Sequence, residues 1–126
     1  MTDLVFRIPN NQWLSSNQRH HWAAKAKRTA WLRRLAFVKG KLDAPSAHTR
    51  PVHITAHIGY STRGKADPAN AHPTVKALVD GLVQAGVLVE DSHEWVTGPD
   101  YRRDDTLAPK GMHTVRLEIE EVGNDD

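Results

Sequence analysis

The chain has 126 residues, 14.1 kDa and no cysteine, which suits one domain and excludes a disulfide framework, a thiolate zinc site and a thiol nucleophile. Hydrophobic residues make up 39% and charged residues 25%, a globular balance rather than a disordered one. No apolar run approaches the roughly 20 residues that cross a bilayer, and the first residues lack a basic region followed by an apolar one, so no secretory signal is read and the expected compartment is the cytoplasm.

The predicted elements run as follows. Leu4, Phe6 and Ile8 alternate with Val5 and Arg7 and give a first strand ending at Pro9. Residues 10–18 are loop-like and offer Ser and Asn as helix caps. From His20 to Leu42 the chain reads as a long helix, with Ala24, Trp31, Leu35, Val38 and Leu42 on one face as the expected core stripe. Residues 43–51, with Pro45 and Pro51, form a linker. Val52, Ile54, Ala56 and Ile58 alternate with His53, Thr55 and His57 as a half-buried strand. A polar loop at 61–72 precedes a second helix that opens at Pro73 and carries Val75, Leu78, Val79, Leu82 and Val83 at helical spacing. Gly86 is its stop. A short apolar return follows at Val87–Val89, then partial strand character over 93–103. The last strand carries Val115, Leu117 and Ile119. The order β-α-β-α-β-β predicts an α/β (α+β) domain over 1–122, a mixed β-sheet packed with two main helices, and a frayed tail at 123–126.

Charge is divided between the two parts of the chain. Residues 1–50 hold ten Lys and Arg against two acids, and residues 51–126 hold seven against thirteen. Between Arg19 and Lys41 there are eight bases and no acid. A run of one sign repels itself unless a polyanion lies against it, and nucleic acid is the natural one. A basic helix paired with the acidic half of the same chain is the other reading. Arg19, Lys25, Lys27 and Arg28, with Arg63, Lys65, Arg102 and Arg103, are the candidate phosphate contacts, which position DNA without reading its sequence.

The acids supply the candidate chemistry. A helix from Pro73 to Ala85 travels roughly 20 Å, and an extended return from Gly86 to Asp91 covers about 20 Å. Asp91 therefore comes back beside the start of the helix, where Asp67 and Asn70 lie. Converging carboxylates repel unless a cation sits between them, and Mg²⁺ takes one or two carboxylates plus waters and phosphate oxygens. Such a site activates water for attack on a phosphodiester. Asp67 before Pro68 also reads as an ordinary turn residue, and Glu90-Asp91-Ser92 as a turn or cap. Lys76 and Asp80 read as an intrahelical ion pair, or Lys76 as a phosphate-holding group.

Several other signals are weaker. His53 and His57 lie about 13 Å apart along a strand, too far for one ion. His72 and His93 fall near the acids and could shuttle protons, with an exposed surface position the plainer reading. Trp13 and Trp22 read as packing groups or as platforms for unpaired bases. No Lys has an acid two positions before it, so a restriction-type core is absent. No Gly-rich phosphate loop is present.

The segment from Lys65 to Asp91 resembles the RusA family of Holliday junction resolvases, common in phages and prophages. That family shows an acidic loop of the form Asp-x-Asp-Asn, then a helix with Lys and Asp-x-Leu, an Ala-Gly turn and a closing acid pair. Here Asp67, Asn70, Lys76, Asp80-Gly-Leu and Glu90-Asp91 match. The order of elements is similar over roughly residues 4–120, and the motif is specific over 63–96. The resemblance implies a small homodimeric endonuclease that uses Mg²⁺, with Mn²⁺ as a substitute, to nick four-way DNA junctions symmetrically in a bacterial host cell. Asp67, Lys76 and Asp91 would be catalytic, and Asp67, Asp91, Asn70, Glu90 and Asp80 would furnish metal ligands. Two departures stand out: Ala69 replaces a second acid, and about three extra residues separate Asn70 from Lys76. A DNA-binding protein that does not cut is the competing class. A protein-binding adaptor is a third, and it leaves the basic run unexplained.

Overall fold

Strict alternation of buried and exposed residues in β1 (Thr2–Pro9) sets one sheet face inward through Leu4, Phe6 and Ile8. The computed structural model describes residues 1–44 and 47–122; Pro45 of the expected linker and the expected frayed tail lie outside them. After β1 come a short 3₁₀ turn (Asn10–Gln12), α1 (Trp22–Asp43), β2 (Val52–Gly59), a second 3₁₀ turn (Pro68–Ala71), α2 (His72–Ala85), β3 (Val96–Arg103) and β4 (Met112–Glu121). The strand order is β1-β4-β2-β3. β4 lies antiparallel to both β1 and β2, and β3 runs parallel to β2 at the edge. A parallel pair needs a crossover, and α2 supplies it. The result is a mixed four-stranded sheet with two helices, an α+β fold in a single small domain, as expected. Among the described residues no helix is long and apolar enough to cross a membrane.

The core lies between the sheet's inner face and the helices. β2 contributes Val52, Ile54, Ala56 and Ile58, and β4 contributes Val115, Leu117 and Ile119. The outer face is polar: His53 pairs with Asp100 at 2.6 Å and His57 with Glu118 at 2.9 Å. α2 is buried along the expected stripe and also along Ala77, Gly81 and Ala85, whose spacing of four puts small residues on one side of a helix. Gly81 meets α1 there. A Cβ at Gly81 would stand 2.3 Å from the Arg33 carbonyl oxygen and 2.7 Å from Ala36 Cβ, so the close approach of the helices requires glycine. Gly86 ends α2 in the left-handed region at φ 83°, with its N–H on the Val83 carbonyl and the Val87 N–H on the Leu82 carbonyl.

The first helix departs from the expected orientation. Leu32, Ala36 and Gly40 are its buried residues, and of the stripe predicted as core Trp31, Val38 and Leu42 are exposed, at 36%, 39% and 77%, while Ala24 and Leu35 are half-buried. Large side chains give a strong periodic signal, but two helices this close need small residues where they meet: Ala36 faces Gly81, and Gly40 faces Leu82, Ala85 and Val87. The cap also differs: His21 Nδ1 accepts from the Ala23 N–H at 3.3 Å, in place of an expected Ser or Asn.

Candidate active site

The loop after β1 is tied to the entrance of α2. Buried Thr74 donates its hydroxyl to the Leu14 carbonyl at 2.7 Å and accepts the Leu14 N–H at 2.9 Å. The Ser16 N–H reaches the Asn70 carbonyl at 2.9 Å, and the Ser16 hydroxyl the Asn70 Oδ1 at 3.0 Å. These bonds bring the start of α1 alongside α2 and leave an open cleft of about 680 Å³ between them. Arg19, His20 and Lys25 line one wall; His72, Lys76 and Asp80 line the other. The His20 Nε2 atom is shielded from water and has no hydrogen-bond partner among the described residues.

Asp91 arrives as the length argument requires. Val87 and Leu88 are buried, and the His48 N–H holds the Val87 carbonyl at 2.8 Å, so the return is anchored although it forms no strand. Lys76 Nζ then donates to Asp91 Oδ2 at 2.5 Å and to Asp80 Oδ1 at 2.9 Å. The intrahelical pair read from the sequence is therefore one arm of a three-residue cluster. The hydrogen bond from Lys76, followed by one with Asp80, holds the Asp91 carboxyl below its ordinary range. The same two carboxylates raise the Lys76 ammonium, the bond to Asp91 contributing most.

The expected pairing of Asp67 with Asp91 is replaced by Asp80 with Asp91. Asp67 precedes the 3₁₀ turn, caps it by accepting the Ala69 N–H at 3.0 Å, and lines a separate concavity with Asn70 and Lys65. The turn adds chain between Asp67 and Lys76 and carries the acid toward the ends of β2 and β4. Glu90 is turned away as well, accepting from the Ser92 hydroxyl at 3.0 Å. Among the described residues no three His, Asp or Glu side chains gather as a metal cage. Of the five expected ligands, Asp80 and Asp91 share the Lys76 ammonium, and Asp67 and Asn70 line the other concavity. Two carboxylates that already converge on one cation fit Mg²⁺, which fills its other positions with water and phosphate oxygens.

The basic residues divide by position. Among the described residues the only ion pair made by the run from Arg19 to Lys41 is Lys39 with Asp43 at 2.7 Å, so the acidic half of the chain does not neutralise it. Arg28 is spent on the Trp13 carbonyl at 3.0 Å. Arg103 braces the 62–64 loop through the carbonyls of Gly64 at 2.6 Å and Thr62 at 2.9 Å, and Arg63 lies beside it. Arg102 pairs in register with His57, on the outer face of the sheet. Lys27 lies on the exposed side of α1. Arg19 and Lys25 are the expected contacts that share the cleft with Lys76 and Asp80.

The histidines and tryptophans weighed from the sequence divide in the same way. His72 adjoins Lys76 in the cleft, and its Nδ1 lies 3.3 Å from the Tyr101 hydroxyl, whereas His93 is exposed. Trp13 is buried, with its indole flat against His113; Trp22 is 77% exposed. The pairing of Trp13 with His113 joins β1's following loop to β4 across a hundred residues, and no local pattern signals it.

No protein-family model matches this chain, and no curated protein matches it. Among solved structures it is similar to the crystal structure of the periplasmic domain of MotB (residues 64-256), at 17% identity and a TM-score of 0.43. That likeness covers 96% of this chain and 65% of the other, so the chain spans less than two thirds of the structure it matches.

Proposed function

We propose that this protein is a Mg²⁺-dependent, structure-specific endodeoxyribonuclease that resolves four-way DNA junctions by paired symmetric nicks, as in the RusA family it resembles. One observation carries the reading: Asp80 and Asp91 converge on Lys76, which lies with Asp80 in a cleft whose opposite wall is cationic, while Asp91 lines an adjoining concavity that shares His72 and Lys76 with it. A protein that only binds DNA gains nothing from two carboxylates placed where phosphate must lie, since they repel it. Arg19, Lys25 and the unpartnered His20 hold the backbone, with Asp80 and Asp91 as the residues that would hold Mg²⁺. When bound, the ion supplies Lewis acidity and an activated water. Lys76 balances charge between the carboxylates and the phosphate, and its ammonium donates to a non-bridging oxygen as negative charge develops there. A homodimer suits a junction with two cleavage points related by a twofold axis, and the protein would act in the cytoplasm of a bacterial cell, encoded by a phage or prophage.

Cleavage of a labelled four-way junction, with and without Mg²⁺ and beside a matched linear duplex, tests this. Paired nicks that need the metal and vanish in Asp91→Asn and Asp80→Asn are expected. Tight junction binding without cutting in Mg²⁺ or Mn²⁺ refutes the enzyme. Ala69 in the acidic loop and the separation of Asp67 from Asp91 favour that second reading, a junction-binding protein that does not cut.

A further inference from the structure

A second concavity of about 260 Å³ adjoins the cleft, and Ser15 and Gln18 line both. It is smaller than the roughly 300–1,000 Å³ of sites for drug-sized ligands, so it suits a single heterocycle. One side is aromatic. Trp13 lies on His113 with ring centres 4.0 Å apart and planes 7° apart, and Tyr60 meets the same imidazole edge-on at 5.5 Å. Burial pushes the His113 pKa down and the Tyr60 pKa up. Both rings are therefore uncharged near neutral pH; Arg103 lies over the Tyr60 ring at 5.0 Å, so a base meets the exposed ring edges of this wall by dispersion.

The opposite side is polar and specific. Asp67 spends Oδ1 on the Ala69 N–H, and its second oxygen has no protein partner among the described residues. Asn70 accepts from Ser16 with Oδ1, which leaves its NH₂ group to donate. Lys65 lines the same concavity. A carboxylate acceptor and an amide donor beside an aromatic wall are the parts needed to read the hydrogen-bonding edge of one base, with a lysine for its phosphate.

We propose that this concavity receives one unpaired nucleobase of the bound DNA and that it prefers guanine. Guanine presents two adjacent donors, N1–H and the N2 amine, one to the free Asp67 oxygen and one to the second lone pair of Oδ1, and its O6 accepts from Asn70. Thymine turns carbonyl oxygens toward the carboxylate on both sides of its one N–H and is repelled. The inference rests on the nucleic-acid reading above but not on cleavage. It also gives the residues of the acidic loop a role in recognition that the metal assignment does not.

The test is equilibrium binding to a fully paired four-way junction and to four junctions that differ only in one unpaired base at the branch point. Wild type is expected to bind the dG junction about tenfold tighter than the dT junction, the discrimination of one good bidentate contact. Asp67→Asn exchanges an acceptor for a donor and is expected to abolish or reverse that ratio. Asn70→Asp, which makes the opposite exchange, is expected to weaken it, and melting curves check that both variants fold. Equal affinity for dG and dT in wild type, or an unchanged ratio in Asp67→Asn, overturns the proposal. Free dGMP that competes as well as the dG junction overturns the DNA source and makes this a nucleotide site. Loss of all binding, the paired junction included, refutes the nucleic-acid reading and this pocket with it.

Discussion

Replacing Lys76 by Met removes one ammonium from between two carboxylates and keeps most of the aliphatic stem. The groups are partly exposed, Lys76 at 53%, Asp91 at 38% and Asp80 at 30%, so solvent screens them and each pair is worth only about 0.2–1 kcal/mol. Two pairs together give about 0.5–1.5 kcal/mol at neutral pH, which for a chain of this size lowers Tm by roughly 2–6 °C. The Asp91 carboxyl lies below its unfolded value, so its contribution is present above about pH 3.9 and is lost as pH falls through the folded value. The Lys76 ammonium lies above its unfolded value, so its contribution is full below about pH 10.4 and is lost as pH rises through the folded value. Thermal melts of wild type and Lys76→Met near pH 7 and below about pH 3 measure the difference. The gap in Tm is expected at the higher pH, is expected to be smaller at the lower one, and is expected to narrow as salt is raised toward about 1 M, where the Debye length falls to roughly 3 Å. An equal gap at both pH values, or a gain in Tm at pH 7, refutes the electrostatic account of this cluster.

Three further outcomes test the packing that builds the site. Thr74→Val leaves the Leu14 N–H and carbonyl without the hydroxyl that serves both; urea unfolding is expected to show a loss of about 2–4 kcal/mol. Gly81→Ala should gain close to 1 kcal/mol by helix propensity, but the added Cβ collides with the Arg33 backbone, so a net loss of about 1–3 kcal/mol is expected in the same assay. Leu32→Ala is expected to cost about 2–5 kcal/mol, whereas Leu42→Ser, at a residue 77% exposed, is expected to change stability by under about 0.5 kcal/mol; the reverse ranking would restore the orientation of α1 expected from its apolar spacing.

The comparison of those two leucines shows where periodicity is informative. In β1, β2 and β4 alternation identifies the buried face, because a sheet covered on one side leaves two choices and the apolar residues select one. In α2 the stripe of Val75, Leu78, Val79 and Leu82 is large and unbroken by charge, and it faces the core. α1 carries apolar residues on several sides. Most of its regular row turns outward because the close contact with α2 demands small residues, Ala36 at Gly81 and Gly40 at Leu82 and Ala85, that a count of hydrophobic positions ranks last. The demand comes from the partner helix and is absent from the local sequence.

The acids obey a similar division between what a length can specify and what it cannot. Thirteen helical residues and six extended ones return the chain to the level at which it started, so Asp91 had to arrive near the first turns of α2, and it does. A length says nothing about direction around the helix axis. Lys76 and Asp80 share a side of α2 because they are four residues apart, and the return passes on that side, held by Val87, Leu88 and the His48 N–H. Asp67 lies on the far side of a 3₁₀ turn that its own carboxylate caps. Spacing within one helix therefore brings Asp80 together with Asp91 on Lys76, whereas proximity to the helix start points to Asp67, which lines the other concavity. The physical consequence is that Asp80 faces the cationic cleft and Asp91 reaches it through Lys76, so under the proposed activity Asp80→Asn should damage metal-dependent cutting as severely as Asp91→Asn, and Asp67→Asn should act first on the choice of base.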